Sequence, residues 1–163
     1  MPTRRWILGA ALAAPALLLA ACDYMPEPRV PTAQPSEATF RDFGEYEVHY
    51  NAVRTDTLTP EIARSYGIQR STNRVMLNVT VLRKEAENAP RKPVEADIEV
   101  DAYNLNGQLK NLELRRVTEG DGIYYIGEVT IGGAEILVFD ISVLPQGTQT
   151  PLTVKFKREF YST

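Results

Sequence analysis

Histidine and cysteine are nearly absent: the 163 residues hold one of each, His49 and Cys22. A single cysteine excludes an internal disulfide framework and a Cys-rich zinc site. A single histidine leaves a His-based metal centre within one chain without its ligands, so no metal and no cofactor is expected. Basic residues are the minority, 18 Lys and Arg against 21 Asp and Glu, for a net charge of −3. No basic footprint for nucleic acid follows from that balance. Long apolar runs are lacking except near the N-terminus, where Trp6 to Leu19 carries no charge. That run is about 14 residues, short of the roughly 20 that span a bilayer. Apolar residues at 44% and charged residues at 24% describe a globular chain, neither disordered nor collagen-like.

What the N-terminus does contain is an export signal. Arg4 and Arg5 precede the apolar run, which ends Leu19-Ala20-Ala21-Cys22. This arrangement resembles the bacterial lipobox, with an aliphatic residue, two small ones and a cysteine. The resemblance implies cleavage after residue 21 and acylation of Cys22, whose thiol is the nucleophile. Several acyl chains on one residue exceed the marginal hold of a single myristoyl group. The expected partner is therefore a membrane, held through lipid on Cys22, with the body facing the periplasm. Thr3-Arg4-Arg5-Trp6-Ile7-Leu8 also resembles a twin-arginine signal, so the export route stays open. Asp23 bears on sorting between inner and outer membrane, and that destination stays open too. Cleavage removes Arg4 and Arg5, which leaves 16 basic side chains against 21 acidic ones and a net charge of −5. Such a body is not drawn to anionic lipid by charge. Residues 23–38 hold Pro26, Pro28, Pro31 and Pro35, which deny helix and central strand. They read as a semi-rigid tether reaching up to roughly 50 Å at about 3.1 Å per residue. The organisation is a signal over 1–21, a lipidated cysteine and tether over 22–38, and a folded domain over 39–163.

Within the domain, period-2 alternation dominates. Tyr46, Val48 and Tyr50 alternate with Glu47 and His49. Val75, Leu77, Val79 and Val81 form one face of a second strand. Val94, Ala96, Ile98, Val100 and Ala102 alternate with Glu95, Asp97, Glu99 and Asp101, an apolar face against an acidic one. Leu112 and Leu114 mark a further strand. Ile123 to Val129, Ile136 to Leu144 and Leu152 to Tyr161 complete the set. Turns fall at Asn106-Gly107, Gly120-Asp121-Gly122 and Gly132-Gly133. One short helix is expected over 60–66, capped by Thr59, opened by Pro60 and ended by Gly67. Its Leu58, Ile62 and Tyr66 are expected to close one end of the fold. About seven strands joined mostly by short turns predict an all-β fold, an antiparallel immunoglobulin-like β-sandwich. Periodicity leaves sheet closure into an up-and-down barrel open.

The runs Tyr46-Glu47-Val48-His49-Tyr50-Asn51-Ala52, Thr59 to Ile68 and Gly120-Asp121-Gly122-Ile123-Tyr124-Tyr125 resemble a family of small bacterial envelope proteins catalogued as domain of unknown function 4426. The resemblance covers most of residues 40–162. It implies a compact envelope β-sandwich and no catalytic residues. The lipobox cysteine looks like a departure from members with an ordinary cleavable signal.

Catalytic patterns are sparse. His49 and Glu47 share a strand face, yet no third ligand has metal-site spacing. Ser65, Ser71, Ser142 and Ser162 lack a nucleophile-elbow context. Gly127 to Gly133 precedes no helix, which excludes a dinucleotide fingerprint. The domain is therefore expected to be no enzyme but a binding or assembly module for an envelope protein partner. Two alternatives stand beside it: a carboxylate-based hydrolase of envelope glycans using Glu99 and Asp101, and a carrier of an apolar ligand inside the fold. The expected docking surface is the 59–74 connection with Arg64, Tyr66, Arg70 and Arg74, a Tyr-plus-Arg mixture common in interface hot spots.

Overall fold

The computed structural model describes residues 38–86 and 89–162. The signal over 1–21, the acylation of Cys22 and the tether as far as residue 37 lie outside the described residues. The chain forms β1 (Phe40–Asp42), β2 (Tyr46–Arg54), a 3-10 turn (Thr55–Thr57), α1 (Pro60–Ser65), β3 (Arg74–Arg83), β4 (Lys92–Pro93), β5 (Ala96–Asn104), β6 (Leu109–Lys110), β7 (Arg115–Glu119), β8 (Gly122–Thr130), β9 (Ala134–Pro145) and β10 (Leu152–Tyr161). One sheet has the order β1-β2-β3-β8-β7, with β4 paired to the end of β3. The other has the order β10-β9-β5-β6. All pairings are antiparallel, and the two sheets make the expected β-sandwich.

Alternation decides what the two sheets bury. Val48, Tyr50 and Ala52 of β2 and Val75, Leu77, Val79 and Val81 of β3 point inward. They meet Leu137, Phe139, Ile141 and Val143 of β9 and Val154 and Phe160 of β10. Tyr50, Phe156 and Phe139 stack in series, with centroids 4.7 and 4.9 Å apart. Each such side chain taken fully from water stabilises the fold by about 1.5–3 kcal/mol. The one buried tyrosine at the β5 entry, Tyr125, accepts a 2.8 Å hydrogen bond from the Ala96 N–H, so its polar tip is satisfied. Asn106-Gly107 turns the chain as expected, with Gly107 at φ 77. The Asn104 carboxamide oxygen accepts from the Asn106 and Gln108 N–H groups at 3.1 and 3.0 Å and fixes that turn.

Three features differ from the expectation. Among the described residues there are ten strands, not seven, because β1, β4 and β6 have only two or three residues each and display no period. Leu112 and Leu114 are not in a strand; the fourth expected strand is Arg115–Glu119 instead. Residues 111–114 carry the chain from the smaller sheet to the larger, and the two leucines pack on the core during that crossing. Finally, α1 does not close an end of the sandwich. Leu58, Ala63, Tyr66 and Ile68 pack on Met76, Ile126, Val53, Val117 and Tyr124, which face outward from the larger sheet. The helix thus lies over that sheet's outer face, and Ile62 is left exposed. Met76 and Ile126 explain the shift: they are apolar residues on the polar side of their strands and need a cover.

Candidate functional site

The 55–73 connection is built around one buried hydroxyl. Thr55 is fully buried. Its Oγ1 donates toward the Gln69 and Ser71 carbonyls (2.9 and 3.2 Å) and accepts from the Ser71 N–H (2.9 Å). That clasp ties the beginning of the connection to its end. Within it, Thr59 caps α1 by accepting from the Ile62 N–H at 3.3 Å, Pro60 opens it, and Gly67 at φ 62 ends it. The Ile68 N–H donates to the Ala63 carbonyl at 2.7 Å, satisfying one terminal carbonyl.

Three of the four expected docking residues, Arg64, Tyr66 and Arg70, lie on this connection and Arg74 opens β3 just after it, and all four have separate partners. Arg64 is the freest: its side chain is 79% exposed, 3.8 Å from Glu61, with Nε donating to the Pro60 carbonyl. Arg70 donates to the Asp56 carbonyl at 2.7 Å, which braces the connection from within. Arg74 reaches Glu128 of β8 at 3.5 Å. The Tyr66 hydroxyl donates to Glu119 of β7, and the Arg115 guanidinium donates to the Tyr66 carbonyl. The Glu119 carboxylate that accepts from the phenol, helped by burial, pushes the Tyr66 pKa up to about 12. Arg115, Glu119 and Thr55 had no signal in the sequence: each acts through a partner more than ten residues away, which local pattern does not reveal.

A second cluster gathers on β2. Glu47 is buried and surrounded by cations. Arg91 donates to it at 3.0 Å, Lys84 lies 3.5 Å away, and the His49 ring donates at 3.2 Å. Arg91 and then His49 hold the Glu47 carboxyl below the usual carboxylate range, against the opposing effect of burial. His49 also stacks on Phe40, centroids 5.2 Å apart. Among the described residues, no group of three His, Cys, Asp or Glu side chains could hold a metal ion.

The acidic face lies where the alternation placed it. Asp97, Glu99 and Asp101 are exposed on the outer face of the smaller sheet. Asp101 stands directly across from Asp140 of β9, whose carboxylate accepts a 3.0 Å bond from Lys155. A shallow depression of about 280 Å³ lies along Glu99, Asp101, Asp140 and Ser142. It lies on the outer face of the smaller sheet. The space between the sheets, where an apolar ligand would ride, is filled by the core side chains.

These observations define a β-sandwich with a helical cover tied down by the Thr55 clasp, and comparison with known proteins agrees on the fold. The sequence profile of domain of unknown function 4426 matches residues 40–163, and the chain belongs to that family. A crystal structure of a DUF4426 family protein from Pseudomonas aeruginosa PAO1 is similar, at TM-score 0.64 and 34% identity, over 76% of this chain and 94% of that one. FetP from uropathogenic Escherichia coli strain F11 shares the fold at TM-score 0.54 and 11% identity, over 76% of this chain and 93% of that one. A copper-bound variant of FetP gives TM-score 0.53 and 12% identity, over 76% and 95% of the two chains. No functionally curated protein matches the chain. The copper belongs to FetP: here the single imidazole, His49, faces a carboxylate already engaged by Arg91 and Lys84. Those residues do not fit a copper ion.

Proposed function

We propose that the domain is a non-catalytic binding or assembly module of the bacterial envelope, facing the periplasm and held to a membrane through lipid on Cys22. The lipobox-like Leu19-Ala20-Ala21-Cys22 supports the anchor. FetP, which shares the fold, was produced in the periplasm, and that supports the compartment. The observation that carries the binding reading is the Thr55 clasp. It turns the longest connection of the domain into a pre-organised platform, which lowers the entropy cost of docking. Arg64 and Ile62 are exposed on its helix, and Arg70 and Arg74 flank it. A folded envelope protein with an acidic rim is the partner this surface suits.

In-cell crosslinking with mass spectrometry of the anchored protein tests the reading. Arg64→Glu is the clean variant, because its side chain braces nothing beyond its own helix. It is expected to abolish the crosslinked partner without moving Tm. The control is Glu99→Lys with Asp101→Lys, which should leave the crosslink intact. Loss in the control and survival in Arg64→Glu would place docking on the acidic face. Peptidoglycan turnover by the wild type, abolished in Glu99→Gln, would replace a binding module with a hydrolase.

A further inference from the structure

The outer face of the smaller sheet changes character along its length. At one end β5 and β10 finish and β6 and β9 begin. There Leu109 of β6 lies opposite Tyr103, Tyr103 opposite Val138, and Val138 opposite Lys157. Leu105 follows on the adjoining turn, and Tyr161 pairs with Ala134 at the same end. Leu105, Leu109 and Tyr161 are 64%, 70% and 55% exposed, a concentration of large apolar groups in water. Towards the other end the same face becomes acidic, with Asp97, Glu99, Asp101 and Asp140, while at the apolar end one exposed carboxylate, Glu159, stands between Lys157 and Tyr161 and accepts from the Tyr161 hydroxyl. The loops at the apolar end, Leu105–Gln108 and Ile131–Gly133, carry no charge.

A second observation concerns the direction from which the chain reaches this end. β1 is antiparallel to β2 with Phe40 opposite His49, so Ala38 lies on the Arg54 side. Arg54 donates to the Tyr161 carbonyl, so the Arg54 side is the apolar end. The first described residues, Ala38 and Thr39, thus run into β1 from the side of the apolar end. We infer that this end, through Leu105, Leu109 and Tyr161, rests in the interfacial zone of the bilayer that holds the lipid anchor. The inference rests on the anchored reading. Its chemistry is that of a phospholipid surface: leucines enter the headgroup–acyl boundary, tyrosine rings keep their hydroxyls in the wet layer, and Lys157 extends its stem beside them. The acidic half of the face is then held away from anionic headgroups, as a chain of net negative charge requires. Because the anchor keeps the domain within the tether's reach of roughly 50 Å, the raised local concentration favours even weak apolar contact.

Environment-sensitive fluorophores on full-length chains test this. Leu109→Cys and Asp97→Cys place a label at either end of the face, in vesicles of phosphatidylethanolamine and phosphatidylglycerol. Nitroxide-labelled lipid is expected to quench the Leu109→Cys label at least about twofold more than the Asp97→Cys label. Flotation with the vesicles together with equal quenching at both positions would overturn the orientation and leave the anchor standing. Failure to float would overturn the anchor and the inference with it. Protection of the Leu109→Cys label that appears in detergent micelles and grows with protein concentration would show that a second copy covers the patch, which also overturns it.

Discussion

Tyr66 shows how one side chain can serve structure where sequence points to recognition. Its ring covers the outer face of the larger sheet, and its hydroxyl is committed to Glu119. The phenol is neutral in the fold to an unusually high pH, about 12 against an ordinary value near 10. A pKa raised on folding contributes stability below the unfolded value, and that contribution fades as pH rises through about 10 to 12. Tyr66→Phe removes the hydroxyl and leaves Glu119 exposed enough to hydrate, so the expected cost is about 1 kcal/mol. Alkaline ultraviolet titration checks the assignment: the wild-type tyrosine that titrates near pH 12 should be missing in Tyr66→Phe, while Tyr161, which its hydrogen bond to Glu159 also raises, remains. If the tyrosine near pH 12 persists, the Glu119 bond is not what holds the proton.

Gly127 carries the same kind of argument at the level of an element. It lies on β8 where the 111–114 crossing passes, and a Cβ there would come within 2.7 Å of Leu112 Cδ1 and 2.8 Å of the Glu113 carbonyl. The backbone oxygen cannot move aside as a side-chain tip can. Gly127→Ala should therefore cost about 1–3 kcal/mol through overpacking and lower Tm, read by thermal melting. An unchanged Tm would mean the crossing segment is free to shift. This contact also explains what was legible beforehand. Strands β2, β3, β5, β8, β9 and β10 are long enough for alternation to set both their type and their inward face. Leu112 and Leu114 show the same alternation but lie in the crossing, not in a strand, and alternation cannot tell an element that pairs from one that only packs. α1 was legible from Thr59, Pro60 and Gly67, since caps and stops are local. Its seat was not, because Met76 and Ile126, the residues that call for a cover, sit in strands whose other positions fit an exposed face.

For the whole molecule, arginines and buried carboxylates close what the sheets leave open. Along one side, Arg158 of β10 donates to the Asn51 carboxamide and the Ala52 carbonyl, both at 2.6 Å, and Arg41 donates to the Thr153 carbonyl at 3.3 Å. These bonds cross between the sheets, and the one from Arg41 occupies a carbonyl of the edge strand β10, where another chain would otherwise pair. At the apolar end, Glu135 joins the β5–β6 hairpin to the start of β9. Lys110 is 2.5 Å away, the Asn104 amide donates at 2.9 Å and the Gly132 N–H at 3.2 Å. Burial pushes the Glu135 carboxyl up, but Lys110, Asn104 and Gly132 together outweigh it and hold it below the ordinary value. Glu47 is depressed too, by Arg91 and His49. A carboxyl depressed on folding contributes its stability above the unfolded pKa and loses it as pH falls through the folded one. As far as these two carboxyls set it, stability should therefore be flat above the ordinary carboxylate range and fall steadily below it. Lys110→Met removes the main group that opposes burial, so Glu135 should titrate higher and the loss should begin at higher pH than in the wild type. At neutral pH the same variant leaves a largely buried carboxylate without its cation, at a cost of roughly 3 kcal/mol. Urea unfolding at a series of pH values measures both effects, and Lys110→Met with Glu135→Leu should recover much of the neutral-pH loss and remove the added acid sensitivity. An acid limb in the double variant that still begins as early as in Lys110→Met would assign that sensitivity to another carboxylate.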